Sequence, residues 1–132
     1  MNQFTLKIST QIHSEDYDDC IETSYDCRYL CDGGVHRLKY SDDENGFTVI
    51  KISDGEISVR RQNASALILR EGYVHTSDYI TPYGNIPMEC AAREIAVELG
   101  ECGGRIEYIA DLVIGGTEQT NTVIMELTAV EQ

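Results

Sequence analysis

Apolar and polar residues alternate with a period of two along most of this chain, and no other feature restricts its fold so strongly. Phe4, Leu6, Ile8, Thr10 and Ile12 alternate with Gln3, Thr5, Lys7, Ser9 and Gln11. Successive side chains of a strand point to opposite faces, so this run has one face for a core and one for water. Ile21, Thr23, Tyr25, Cys27, Tyr29 and Cys31 repeat the pattern opposite Glu22, Ser24, Asp26 and Arg28. Asp32-Gly33-Gly34 is a tight hairpin signal, and His36, Leu38 and Tyr40 then alternate with Val35, Arg37 and Lys39 on the returning strand.

The meander continues. Ser41 to Gly46 is too polar to bury and reads as a loop before the β-rich run Phe47 to Ile52, and Asp54-Gly55 turns the chain into Ile57 and Val59. Gln62-Asn63 separates that strand from Ala66 to Leu69; later, Ile106, Tyr108, Ala110 and Leu112 share a face, as do Val123, Met125 and Leu127 beyond the Gly115-Gly116 turn. Gly103-Gly104 reads as a further pair of hairpin glycines. One segment is ambiguous: in Met88 to Leu99 the spacing of Met88, Ala91, Ala92, Ile95 and Leu99 also fits a helix face, which local propensity slightly favours. An open antiparallel sheet of this kind exposes two edges, and closure satisfies them, so the expected fold is all-β: a closed antiparallel β-barrel of about eight to ten strands. No repeat or linker interrupts the sequence, which predicts one domain over residues 1–132.

Twenty-three acidic residues against ten basic ones give a formal charge of −13. Phosphates of nucleic acids and anionic lipid head groups are repelled at long range by such a chain, so neither nucleic acid nor a membrane is an expected partner. Without a signal-like or membrane-spanning apolar run, and with five cysteines in no compact framework, the expected location is cytoplasmic, with reduced thiols.

Chemistry-bearing patterns are sparse. Thr81-Pro82-Tyr83-Gly84 has the residues of a β-turn; the functional alternative places Tyr79 and Tyr83 at the barrel mouth, where an aromatic ring with a hydroxyl tip stacks on a ligand. Arg61 continues the inward register of Ile57 and Val59, so its guanidinium either reaches carbonyls and water at the barrel end or anchors a ligand anion. Tyr40 and Tyr108 share the inferred inner face, as core residues or as part of the same site. Cys27 and Cys31 would lie about 13 Å apart along an extended strand, too far for one zinc. His13, His36 and His75 are scattered, so neither a metal nor a cofactor is expected. No nucleophile elbow, phosphate loop or dinucleotide fingerprint occurs, and no catalytic residue is assigned.

The segment Asp78-Tyr79-Ile80-Thr81-Pro82-Tyr83-Gly84 resembles the signature of the YwiB-like family, and Leu38-Lys39-Tyr40, Ile57-Ser58-Val59-Arg60-Arg61, Gly104-Arg105-Ile106-Glu107-Tyr108 and the final apolar strand follow the same order. The resemblance implies a bacterial protein with a calycin-type, lipocalin-like barrel and implies that Met88 to Leu99 is a strand. It supplies no activity. Two departures stand out: Ser41 where the family often has an acidic residue, and Arg61-Gln62-Asn63 where it has an Arg-x-Gly corner, at which Asn63 can take positive φ in place of glycine. The leading functional expectation is a binding module that holds a small, partly apolar or anionic ligand near Tyr79, Tyr83, Arg61, Tyr40 and Tyr108. A packed barrel acting as a protein-interaction or assembly module, with a homodimer as one form, is the alternative; a small hydrolase or isomerase is the third reading.

Overall fold

The computed structural model describes residues 2–42, 46–62 and 66–130, without the side chains of residues 2, 79 and 80. Within them run ten strands: β1 (Asn2–Ser14), β2 (Asp18–Asp32), β3 (Val35–Asp42), β4 (Gly46–Ser53), β5 (Glu56–Arg61), β6 (Leu67–Arg70), β7 (Val74–Thr81), β8 (Gly84–Gly100), β9 (Gly103–Ile114) and β10 (Thr117–Ala129). They form one antiparallel sheet in the order β6-β5-β4-β3-β2-β1-β10-β9-β8-β7. Every strand thus pairs with its neighbour in sequence except β6 with β7, and β1 pairs with β10 to bring the two ends of the meander together.

At the seam between β6 and β8 the ring is held by an isolated bridge between Glu71 and Ala92 and by a contact of 3.2 Å between His75 Nε2 and the Ala66 carbonyl oxygen. The result is a nearly closed barrel, as the alternation predicted. Its turns follow their local chemistry. Asp54 and Gly55 sit at φ of 49° and 75°, the pair of positive values that a two-residue turn between right-twisted strands requires. Asn63, the expected corner residue, lies outside the described residues.

The inward register fills the barrel. Phe4, Leu6, Leu38, Ile50, Ile57, Leu69 and Ile106 are all but completely buried, and Val59, Val123, Met125 and Leu127 pack among them. The polar partners of the alternation, such as Gln3, Thr5, Arg28 and Lys39, face solvent.

The ambiguous segment is a strand with a β-bulge. The register of β8 against β9 shifts between Ala92 and Glu94, so Ala92 lies opposite Ala110 and Ile95 opposite Tyr108 on the inner side, while Arg93 and Glu94 are both exposed. The bulge explains the helical look: an extra residue turns the apolar step from two to three between Ala92 and Ile95. Arg93 is fixed there by two hydrogen bonds of 2.7 Å, from Nε and Nη2 to the Asp111 carboxylate, which also accepts a bond of 2.8 Å from the Thr120 hydroxyl.

The hydrogen bonds from Arg93, with Thr120 adding to them, hold the Asp111 carboxyl below the ordinary carboxylate range. A depressed folded-state value gives stability that is present above the unfolded-state value and is lost as pH falls through the folded one. Asp111→Asn is therefore expected to be less stable than wild type near neutrality and to close on it as pH falls through the folded-state value of Asp111, read from urea midpoints across the acid range. Because the pair is largely exposed, the difference is small. A gap that persisted unchanged at acid pH would show that the substitution acts by another route.

Candidate functional site

At one end of the barrel the inward register places a cation in the same row as a buried hydroxyl and a tyrosine. Arg61, the last residue of β5, lies opposite Thr48 of β4; Thr48 lies opposite Tyr40 of β3, and Tyr40 opposite Cys27 of β2. Thr48 is fully buried and Tyr40 6% exposed, whereas Arg61 is exposed at the rim. Burial pushes the Tyr40 phenol above its ordinary range, and the Arg61 charge opposes that rise. Tyr108, inward on β9 opposite Ile95 and Val123, is raised much further by the same desolvation, again opposed by Arg61. One arginine therefore lies within electrostatic reach of two shielded phenols contributed by separate parts of the ring.

Two side chains that the sequence did not single out belong to this group. The Thr48 hydroxyl oxygen is buried with no partner at hydrogen-bond distance among the described residues, and its influence on the Tyr40 phenol opposite is minor beside that of burial. Its inward position was legible in the alternation of Thr48 with Ile50 and Ile52; its unmet hydrogen bond was not. Tyr25 of β2 stacks on Tyr40 with ring centroids 4.6 Å apart and an interplanar angle of 27°, and donates from its hydroxyl to Asp42 Oδ2 at 3.3 Å. The constellation offers a cation, hydroxyl groups, aromatic surface and the Asp42 carboxylate that accepts from Tyr25, and no described carboxylate forms an ion pair with Arg61. Guanidinium and hydroxyl groups beside aromatic rings are chemically complementary to an anionic group on an apolar body.

The other two expected site residues stand apart. Tyr83 is fully exposed in the turn between β7 and β8. There Thr81 Oγ1 donates to the Gly84 carbonyl at 2.6 Å and accepts from the Tyr83 amide at 3.2 Å, which gives the Thr81-Pro82-Tyr83-Gly84 segment a structural reason of its own. Tyr79 pairs with Ile86 through the β7 and β8 backbones, and its side chain lies outside the described residues. Arg61, Tyr40 and Tyr108 are thus the expected residues that the fold brings together.

The family described as domain of unknown function DUF1934 matches residues 6–125, nearly the whole meander from β1 to β10. The chain belongs to this family. Its barrel is similar to the crystal structure of the ywiB protein from Bacillus subtilis, at a TM-score of 0.81 and 23% identity over 95% of this chain and 91% of that one. The likeness establishes the DUF1934 fold. The monomer form of the M. tuberculosis PknI sensor domain gives a TM-score of 0.41 at 9% identity, covering 99% of this chain and 87% of that one. Among curated proteins, none matches the chain.

Thiol chemistry in this DUF1934 barrel divides by burial. Cys27 and Cys90 are buried, and desolvation pushes both thiols up to about 11, whereas Cys20, Cys31 and Cys102 are exposed. The thiolate is the reactive form. In the folded protein an aromatic disulfide reagent is expected to modify three of the five thiols promptly and the remaining two only on unfolding, with peptide mass analysis placing the slow pair at Cys27 and Cys90. Prompt modification of Cys27 would mean that the Tyr40 end of the barrel opens in solution.

Proposed function

We propose that this DUF1934 chain is a cytoplasmic binding barrel that takes a small ligand with an anionic group and an apolar body at the end defined by Arg61, Thr48, Tyr40 and Tyr108. The observation that carries the reading is the inward register of Arg61, which forms no ion pair with a described carboxylate and shares a row with Tyr40 and with Thr48, whose buried hydroxyl has no hydrogen-bond partner among the described residues. Buried polar groups are ordinarily satisfied, and a ligand oxygen at Thr48 and Arg61 satisfies both.

Native mass spectrometry of protein purified from its own host tests the reading without a guess at the ligand. The expected result is a reproducible added mass on the wild-type chain that is absent from Arg61→Ala and reduced in Thr48→Val. Thr48→Val removes the unpartnered hydroxyl and is expected to raise the unfolding free energy of the unliganded protein by about 1 kcal/mol, which separates lost binding from lost folding. A bare wild-type chain, or an adduct indifferent to Arg61, would overturn the assignment.

A further inference from the structure

Basic side chains are gathered on one outward face of the barrel. The register across β2 to β5 sets Arg28 beside Lys39, Lys39 beside Val49 and Val49 beside Arg60. The next outward row runs through Leu30, Arg37, Lys51, Ser58 and Ile68. Half of the ten basic residues therefore occupy two rows of four strands, a patch roughly 15 Å by 7 Å at ordinary sheet spacings. None of these five forms an ion pair with a described carboxylate, although Asp26 and Asp32 flank them on β2. Like charges on adjoining strands oppose one another, so among the described residues the patch carries an excess of positive charge. Leu30 and Phe47, 44% and 67% exposed, add apolar surface to it.

A dense run of the opposite charge lies at the β1–β2 tip. Glu15, Asp16, Asp18 and Asp19 surround Tyr17, and both Tyr17 and Ile21 are exposed. Asp18 contacts His13, and Glu15 and Asp16 take part in none of the ion pairs among described residues. Both features sit on β2, where Asp19 and Arg28 are separated by about 30 Å of extended strand. That stiff spacing keeps a tip from reaching the basic face of its own chain.

We propose that the basic face of β2 to β5 receives the acidic β1–β2 tip of a second copy of this chain. Two copies set antiparallel along β2 satisfy both contacts at once, the self-complementary arrangement of a two-fold dimer. A nucleic acid is a poorer occupant, because it would run past the patch onto the acidic surface of a chain with net charge −13. The inference goes beyond the ligand reading and uses none of its residues.

Reciprocal charge reversal tests it on the full chain by sedimentation equilibrium, with circular dichroism to check folding. Wild type is expected to dimerise, and R28E/K39E and E15K/D16K are each expected to weaken self-association at least about tenfold. Mixing the two variants in equal amounts restores association to within about threefold of wild type, since acid then meets base at both contacts. Their opposite reversals cancel, so the mixed pair has the formal charge of two wild-type copies and generic repulsion is held constant. A wild-type chain that stays monomeric to about 100 µM would overturn the proposal. So would a mixture that fails to associate, or an oligonucleotide captured by wild type and by E15K/D16K but lost in R28E/K39E.

Discussion

Gly104→Ala is expected to lower the unfolding free energy by about 3 kcal/mol or more and the melting temperature by about 10 °C or more. Gly104 stands in β9 between Leu99 of β8 and Leu127 of β10, with φ of 149°. A Cβ built there lies 1.9 Å from the Glu98 carbonyl oxygen and 2.9 Å from its carbon. Both are backbone atoms within the β8–β9 hairpin, so no rotamer change relieves the overlap and the strands must separate. Gly103 is pinched from the other side, its Cβ position 2.1 Å from the Leu127 carbonyl oxygen. Gly116→Ala is the control: its φ of 85° is strained for alanine, yet nothing lies within 4 Å, so backbone strain of roughly 1–2 kcal/mol is all it should cost. Equal melting temperatures for the two variants would show that the sheet yields at Gly104.

Phe4→Ala is expected to cost about 3–5 kcal/mol. Phe4 is 1% exposed, and its ring meets the Tyr29 ring edge-on, with centroids 5.3 Å apart at 87°. It lies opposite both Cys27 and Ala129, on the strand that joins the first and last parts of the meander. Truncation removes the area of a buried ring and leaves a void that neighbouring strands, fixed by their ladders, cannot fill. The only other phenylalanine supplies the comparison. Phe47 is 67% exposed on the outward side of β4, so Phe47→Ala should change stability by no more than about 0.5 kcal/mol. Urea titrations of the two variants measure the difference, and a small loss at Phe4 would mean that the barrel interior relaxes around it.

The alternation of residues carried most of the fold. Phe4 with Leu6, Cys27 with Tyr29, and Ile57 with Val59 were placed inward by period alone and are buried. Period fails where geometry is not local. The bulge at Arg93 changes the parity of β8, so its inward residues are Met88, Cys90 and Ala92 and then Ile95, Val97 and Leu99. A pattern that switches parity within one strand imitates a helix, and the family resemblance gave the correct reading for Met88 to Leu99. Strand β7 was also silent: Val74-His75-Thr76-Ser77-Asp78 has no clean apolar alternation, and its extended form is supported by the ladder to β8. In the site, Arg61 followed from the register of β5 because parity survives to the strand end. The local turn around Tyr83 was equally legible, but the direction in which a hairpin projects from a barrel is set by tertiary packing. Net charge concealed as much as it revealed, since −13 is a sum over a surface on which half of the cations share one face.

The single pairing of β1 with β10 governs how the chain can assemble. All other ladders join consecutive strands, so β1 to β6 and β7 to β10 can each grow by zipping hairpins outward from their turns. Only the ladder from Phe4 and Ala129 to Ser14 and Gln119 requires segments separated by most of the sequence to meet, at the full entropy of closing so long a loop. The β1–β10 ladder is therefore the part of the sheet with the largest loop-closure cost. The seam between β6 and β8, with its single bridge, contributes least to holding the ring shut.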